Sequence, residues 1–287
     1  MDDSVSKTPG DSIARIGMIL TGVGSAAAGV LDVIWGEFEP AHQPIQAWGG
    51  HIANTPMLAY VAAAWLIVGG IGLSIRRTAQ AGAASLAILY AIFTLFPLPR
   101  LYTAPHFLGY HVAVYIGLLV GICQQLILFV AATVVCAFLS SSGPRSLLWA
   151  RLARWTFGLC SIDFGLAHFT GVQAVTRMVP GWMPFGGASW TVITGVAFVA
   201  AGLSIISGIQ DALAARLLGL MLLVFSATVL TPGIFASPHS HVAWGGDAYN
   251  LTAVGSVLMF ASWLADRAAG VRTDQTIERA SLPPLRL

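Results

Sequence analysis

The stretch Phe107–Leu139, FLGYHVAVYIGLLVGICQQLILFVAATVVCAFL, contains no Asp, Glu, Lys or Arg. A bilayer core about 30 Å thick asks for about 20 apolar residues of helix, and a lone helix satisfies its own backbone hydrogen bonds in lipid. The segment therefore reads as a membrane span. As straight helix it would reach about 50 Å, longer than the core. Counted back from Leu139, its buried part begins near Val120, which leaves His106–Tyr115 at the surface.

Seven further segments have the same character: Ile13–Trp35, Met57–Ile75, Ala81–Phe96, Leu147–Phe169, Ser189–Ile206, Ala212–Leu230 and Ala248–Leu264. The expected fold class is all-α transmembrane, with eight helices. A membrane barrel would show segments of alternating polarity about ten residues long, and none occurs. The first span is not a signal peptide despite Ala26-Ala27-Ala28. Asp2, Asp3 and Asp11 precede it, and its apolar run continues to Trp35.

Composition agrees. Of 287 residues, 9% are charged and 56% hydrophobic, and mean hydropathy is +0.79. Soluble domains carry about 25% charged residues. This excludes a soluble enzyme and a disordered chain. A net charge of +2 with scattered basic residues excludes a nucleic-acid binder.

Basic residues set the orientation. Lys7, Arg15, Arg76, Arg77, Arg145, Arg151, Arg154, Arg216, Arg267, Arg272, Arg279 and Arg286 fall on one side of the eight spans. Only Arg100 and Arg177 fall on the other. The positive-inside rule then places both termini in the cytoplasm. The outer loops are long and rich in Trp, Pro, Gly and His, which is where a rigid scaffold carries function.

The chain reads as a four-helix unit written twice. Arg15, Gly22 and Gly29 recur as Arg151, Gly158 and Gly165. Gly72-Leu73-Ser74-Ile75 recurs as Gly202-Leu203-Ser204-Ile205. Pro97 matches Pro232, and Pro105-His106 matches Pro238-His239. The expected organisation is a polar tail 1–12, a diverged unit 13–139, a linker 140–146, a second unit 147–265 and a polar tail 266–287. The units are expected as two pseudo-symmetric bundles related by an axis along the membrane normal.

The second half carries Phe164-Gly-Leu-Ala-His168-Phe, then Met178-Val-Pro-Gly-Trp182-Met-Pro184, then Trp190-Thr191 and Thr194-Gly195. This resembles the DoxX-like family of four-helix membrane proteins. The first half keeps the helix plan but little of the motif: Pro44 and Trp48 are arranged differently, and Asp32 stands where the second half has His168. The resemblance implies a bacterial inner-membrane protein. It implies an accessory or scaffold subunit of a quinone-linked redox system; if catalytic, the chain would be the membrane subunit of a quinone-linked oxidoreductase. A transporter or channel for a small solute or metal ion is the alternative, and a plain membrane anchor is a third reading.

Candidate site residues gather at the outer level. Asp163, about 24 Å along its helix, is expected to face the second bundle and meet a donor among Trp190, Gln124, Gln125 and Asn250. With His168 and Trp182 these residues would line a pocket for a flat amphipathic molecule such as a quinone headgroup. All seven histidines lie on the outer side. His239 and His241, with His106 and His111, form a candidate metal set, against the plainer reading that imidazole suits the interface. Cys123, Cys136 and Cys160 lie within spans without a Cys-x-x-Cys spacing, which argues against thiol redox chemistry.

Overall fold

The computed structural model describes residues 9–39, 42, 55–139 and 147–281, with backbone alone at 9–11, 147 and 269–281. Pro44, Trp48, His51 and the linker 140–146 lie outside the described residues. Every described element is helical. The long helices are α1 (Pro9–Trp35), α2 (Thr55–Ser74), α3 (Ala79–Leu95), α6 (Val112–Leu139), α7 (Leu147–Thr170), α9 (Gly186–Ser207), α10 (Asp211–Phe225) and α12 (His241–Ser281). Short helices α4 (Arg100–Thr103), α5 (Pro105–Leu108), α8 (Val172–Met178) and α11 (Thr231–Ala236) occupy connections between them.

Seven of the long helices are long and apolar enough to cross a membrane. The protein has the architecture of a multi-pass membrane protein. The other long helix, α7, has 24 residues, but Arg151, Arg154 and Asp163 hold its hydropathy below that of the rest.

Three expected boundaries change. The fourth segment is not one helix from Phe107. The chain turns at Gly109, whose φ of 89° suits glycine, and α6 begins at Val112. The seventh does not run straight to Leu230. Pro232 offers no amide hydrogen, and the helix passes through a π turn at Ser226–Leu230 before α11. The last helix does not begin at Ala248. The Ser240 hydroxyl accepts the Ala243 amide hydrogen at 3.3 Å, an N-cap that starts α12 at His241. The same helix continues to Ser281, through most of the segment expected as a loose tail.

Neighbours in sequence pack together: α1 on α2, α2 on α3 and α3 on α6, then α7 on α9, α9 on α10 and α10 on α12. Packing also crosses the halves. α1 lies along α12, α6 along α7, and α6 and α12 touch each other. α12 is the most enclosed helix and α10 the least. Outward-facing side chains such as Val68, Val196 and Leu217 are exposed and apolar, as a lipid-facing surface requires.

Small residues set the closest crossings. A Cβ on Gly22 would press on the Gly70 carbonyl, and one on Gly29 on the Ala63 carbonyl. In the second half, Gly158 meets the Gly202 carbonyl and Gly165 the Gly195 carbonyl. Gly17 and Gly24 approach Gly255 and Ala248 across α1 and α12 in the same way. Such positions let helices meet at van der Waals distance, the main attraction available in lipid.

Near the N-terminal end of α1, Arg15 donates to the Ser74 carbonyl at 2.6 Å. Arg154 donates to the Ile205 carbonyl at 3.2 Å and pairs with Asp211 at 3.0 Å. Each arginine serves carbonyls left open at a helix C-terminus.

Candidate functional site

The interior of the second half is hollow. A cavity of about 570 Å³ lies among α6, α7, α9, α10 and α12. Its walls are mainly apolar, with Phe157, Phe164, Phe198, Phe225 and Met221 among them. The π turn contributes Thr228, Val229 and Leu230. That turn is stabilised from α12: Asn250 Nδ2 donates to the Leu222 carbonyl at 2.7 Å and to Ser226 Oγ at 2.8 Å. Wide helical turns of this kind often occur at functional sites.

Polar groups are few and mostly committed. Ser161 donates to the Phe157 carbonyl, Trp190 Nε1 to Pro184 and Tyr249 to the Gln124 carbonyl. His168 Nδ1 lies 2.7 Å from the Phe164 carbonyl, which assigns the proton to Nδ1 and leaves Nε2 as an acceptor. The Gln124 side chain carries both a donor and an acceptor. A ligand held here is largely apolar and is oriented by one or two hydrogen bonds.

Of the six residues expected at a pocket, His168, Trp190 and Gln124 line the cavity. Trp182 does not, because the loop carries it outward and leaves it 70% exposed. Gln125 is buried on another face of α6. Asp163 is buried and is not among the residues that line the cavity. The expected donors Trp190 and Asn250 are engaged elsewhere. Tyr249 and Phe198 read as ordinary span residues in the sequence. Only the aromatic spacing Phe157, Phe164 along one helix face hinted at a wall.

A second polar centre sits at the C-terminal end of α1. Asp32 is fully buried, and its Oδ1 accepts the Glu39 amide hydrogen at 2.7 Å. His241 stacks on Trp35 at 4.8 Å, with Nε2 3.6 Å from Asp32 and Nδ1 3.4 Å from Glu37. His42 stacks on Phe93 at 4.2 Å, and its Nδ1 is 3.8 Å from Glu39. Burial among apolar rings pushes the His42 imidazole down to about 3, and His241 adds to the shift. Gly245 leaves room for Glu39, since a Cβ there would meet its side chain. The run Asp32 to His42 holds three acids and a histidine in a charge-poor chain, a signal that could have marked this cluster.

The four candidate metal residues are dispersed. His241 turns inward to Asp32, while His239 stays exposed two residues earlier. His106 is exposed and bonds the Tyr102 carbonyl through Nδ1, and His111 is exposed past the Gly109 turn. Among the described residues, no three His, Cys, Asp or Glu side chains are grouped to hold a metal ion.

No family model, no curated protein and no solved structure matches this chain.

Proposed function

We propose that the protein is a DoxX-like tandem repeat of the bacterial inner membrane. In this reading its second unit holds a quinone-class molecule as an accessory or scaffold part of a redox system. The observation that carries the reading is the apolar cavity of about 570 Å³ with His168 Nε2 and Gln124 on its wall. A quinone ring needs an apolar slot, and its two redox forms need an acceptor and a donor. His168 serves the hydroquinone hydroxyl and the Gln124 amide serves the quinone oxygen. The inner wall, with Phe157, Leu218 and Val257, offers nothing to a hydrated solute or metal ion.

The repeat is supported by matched crossings, Gly22 and Gly29 on one side and Gly158 and Gly165 on the other. It is also supported by the packing list. Each pairing within the first half has a counterpart in the second, and α1 on α12 answers α6 on α7.

The test is saturable binding of decylubiquinone to the detergent-purified protein, one per chain, weakened at least tenfold by His168→Leu. No saturable binding, or binding indifferent to His168, would overturn it. Orientation is tested by cysteine substitution at Ser141 and Ser237. An impermeant reagent added to intact cells should label position 237 and spare 141, and the reverse would place both termini outside.

A further inference from the structure

The cavity has a polar end and an apolar end, and contacts across helices fix which residues share a level. At one level the Tyr249 hydroxyl donates to the Gln124 carbonyl at 3.3 Å, and Asn250 Nδ2 donates to Ser226 Oγ at 2.8 Å. These bonds align α6, α12 and the π turn. A Cβ on Gly195 would meet the His168 side chain, which aligns α7 with the first half of α9. At the other level Phe157 stacks on Phe260 at 4.2 Å, and a Cβ on Gly219 would meet Val257 and Leu258. These contacts align α7, α10 and α12 again.

The cavity wall sorts accordingly. Gln124, His168, Trp190, Thr228 and Asn250 line the first end, and Phe157, Leu218 and Val257 line the second. From Phe157 to His168 the helix rises about 16 Å. The ends also differ in access. Phe157, Leu218, Val257 and Phe260 are buried, so the apolar end is closed. Met178, Val224 and Thr228 line the cavity and are nevertheless exposed, which marks an opening near the polar end. Val224 follows Leu217 and Leu220 at seven and four residues, on one face of α10. Both leucines are exposed, and an exposed apolar face on a membrane-spanning helix is turned to lipid.

We propose that the cavity takes a chain-bearing amphiphile from the bilayer through the opening at Val224 and Thr228. Its chain occupies the closed end at Phe157, Leu218 and Val257, and its head stays at His168 and Gln124. The inference rests on the quinone reading above and narrows that ligand to a quinone held by its chain as well as by its ring. The closed end has no free donor or acceptor for a head group, because Ser161 is bonded to the Phe157 carbonyl. A head placed there would lose its hydrogen bonds without replacement. The reversed pose is therefore disfavoured, and the chain selects among quinones by how well it fills the blind end.

The experiment uses the full-length protein in lipid nanodiscs and a decylubiquinone analogue with a diazirine at the end of its chain. Irradiation should label Phe157 or Val257, and excess decylubiquinone should remove the label. In parallel, Leu218→Trp fills the closed end. It should weaken decylubiquinone at least tenfold and leave ubiquinone-0, which has the same head and no chain, within twofold. His168→Leu should weaken both. Saturable binding that depends on His168, with label confined to Val175–Met183 or to exposed leucines of α10, overturns the pose and leaves the quinone reading standing. Loss of neither ligand in Leu218→Trp overturns it as well. If that variant loses both ligands, the labelling of the unaltered protein decides alone. If no quinone binds, the quinone reading falls, and palmitic acid with a chain-end diazirine tests the site itself. Label at Phe157 or Val257 then retains a chain-binding cavity, and its absence refutes one.

Discussion

The interiors of the two halves have opposite contents. In the first, Tyr90, Phe93 and Phe38 are buried together, and His42 comes back from the loop to stack on Phe93. Tyr90 closes the space with a hydrogen bond to Ser25 at 2.7 Å. In the second, the same region is open. Counting back from the matched prolines Pro97 and Pro232, Phe93 corresponds to Thr228, a far smaller side chain on the cavity wall. The returning loop differs too. Its Met178, Val179 and Met183 border the cavity without filling it. Helix crossings set by glycine leave the interior volume to be decided by a few side chains. The first half fills that volume with side chains and the second leaves it as a cavity.

The seams differ in the same sense. α1 and α12 meet through Gly17, Thr21, Gly24, Thr252 and Gly255, with no room for an added Cβ. At the corresponding level of α7 stand Phe157 and Cys160, and Gly117 and Gly121 of α6 have nothing within 4 Å of an added Cβ. The tight seam locks the first and last helices, and the looser one borders the cavity.

The sharpest way to break this contrast is to hollow the filled half. Phe93→Ala removes the ring on which His42 stacks, and should cost about 3–5 kcal/mol, read as a lowered thermal midpoint in detergent. A variant as stable as the parent would show that the aromatic plug is not structural.

Next comes the seam. Gly255→Ala drives a methyl group into the α1 backbone and should cost about 1–3 kcal/mol. Gly121→Ala enters open space and should stay within about 0.5 kcal/mol. Equal effects in the two would remove the distinction between the seams.

The plug also predicts a pH response. His42 is held neutral in the folded protein, with its pKa at about 3 against about 6.5 when unfolded. The unfolded chain therefore binds more protons between these values. Stability should fall as pH drops from about 6.5 towards 3, by at most about 1.4 kcal/mol per pH unit from this group. Midpoints measured from pH 7 to 5 should decline, and His42→Phe should flatten the decline by keeping a ring on Phe93 without the imidazole. An unchanged slope would mean that His42 does not carry the response.

The smallest effect is the converse of the first. Thr228→Phe gives the second half the ring that fills the first. Decylubiquinone affinity should fall at least tenfold, about 1.4 kcal/mol, with thermal stability retained. Full affinity would mean that the ligand does not occupy the cavity.

Helix content and the membrane class were legible in the sequence because both follow from local properties: long apolar runs and a shortage of charge. Gly22, Gly29, Gly158 and Gly165 were legible as close-packing positions for the same reason. Their partners were not. A run of small residues in a span admits more than one register until another helix selects it. His168, Trp190 and Gln124 were recognisable because a polar or aromatic side chain in a span is conspicuous. Trp182 was equally conspicuous and lies outside, because a loop's direction depends on the turn at Phe185 and Gly186, where φ is positive, rather than on composition.

The sequence alone determined that the chain is helical, multi-pass and polar at one level of its spans. Lipid imposes that outcome on any such string of apolar segments, through the cost of an unpaired backbone group. Tertiary structure decided everything that depends on distance across helices. It turned His241 to Asp32 instead of to His239, and left one interior full and the other empty. These are outcomes of packing, where a ring at 93 or a threonine at 228 changes the volume that remains while leaving the hydropathy of the span almost unaltered.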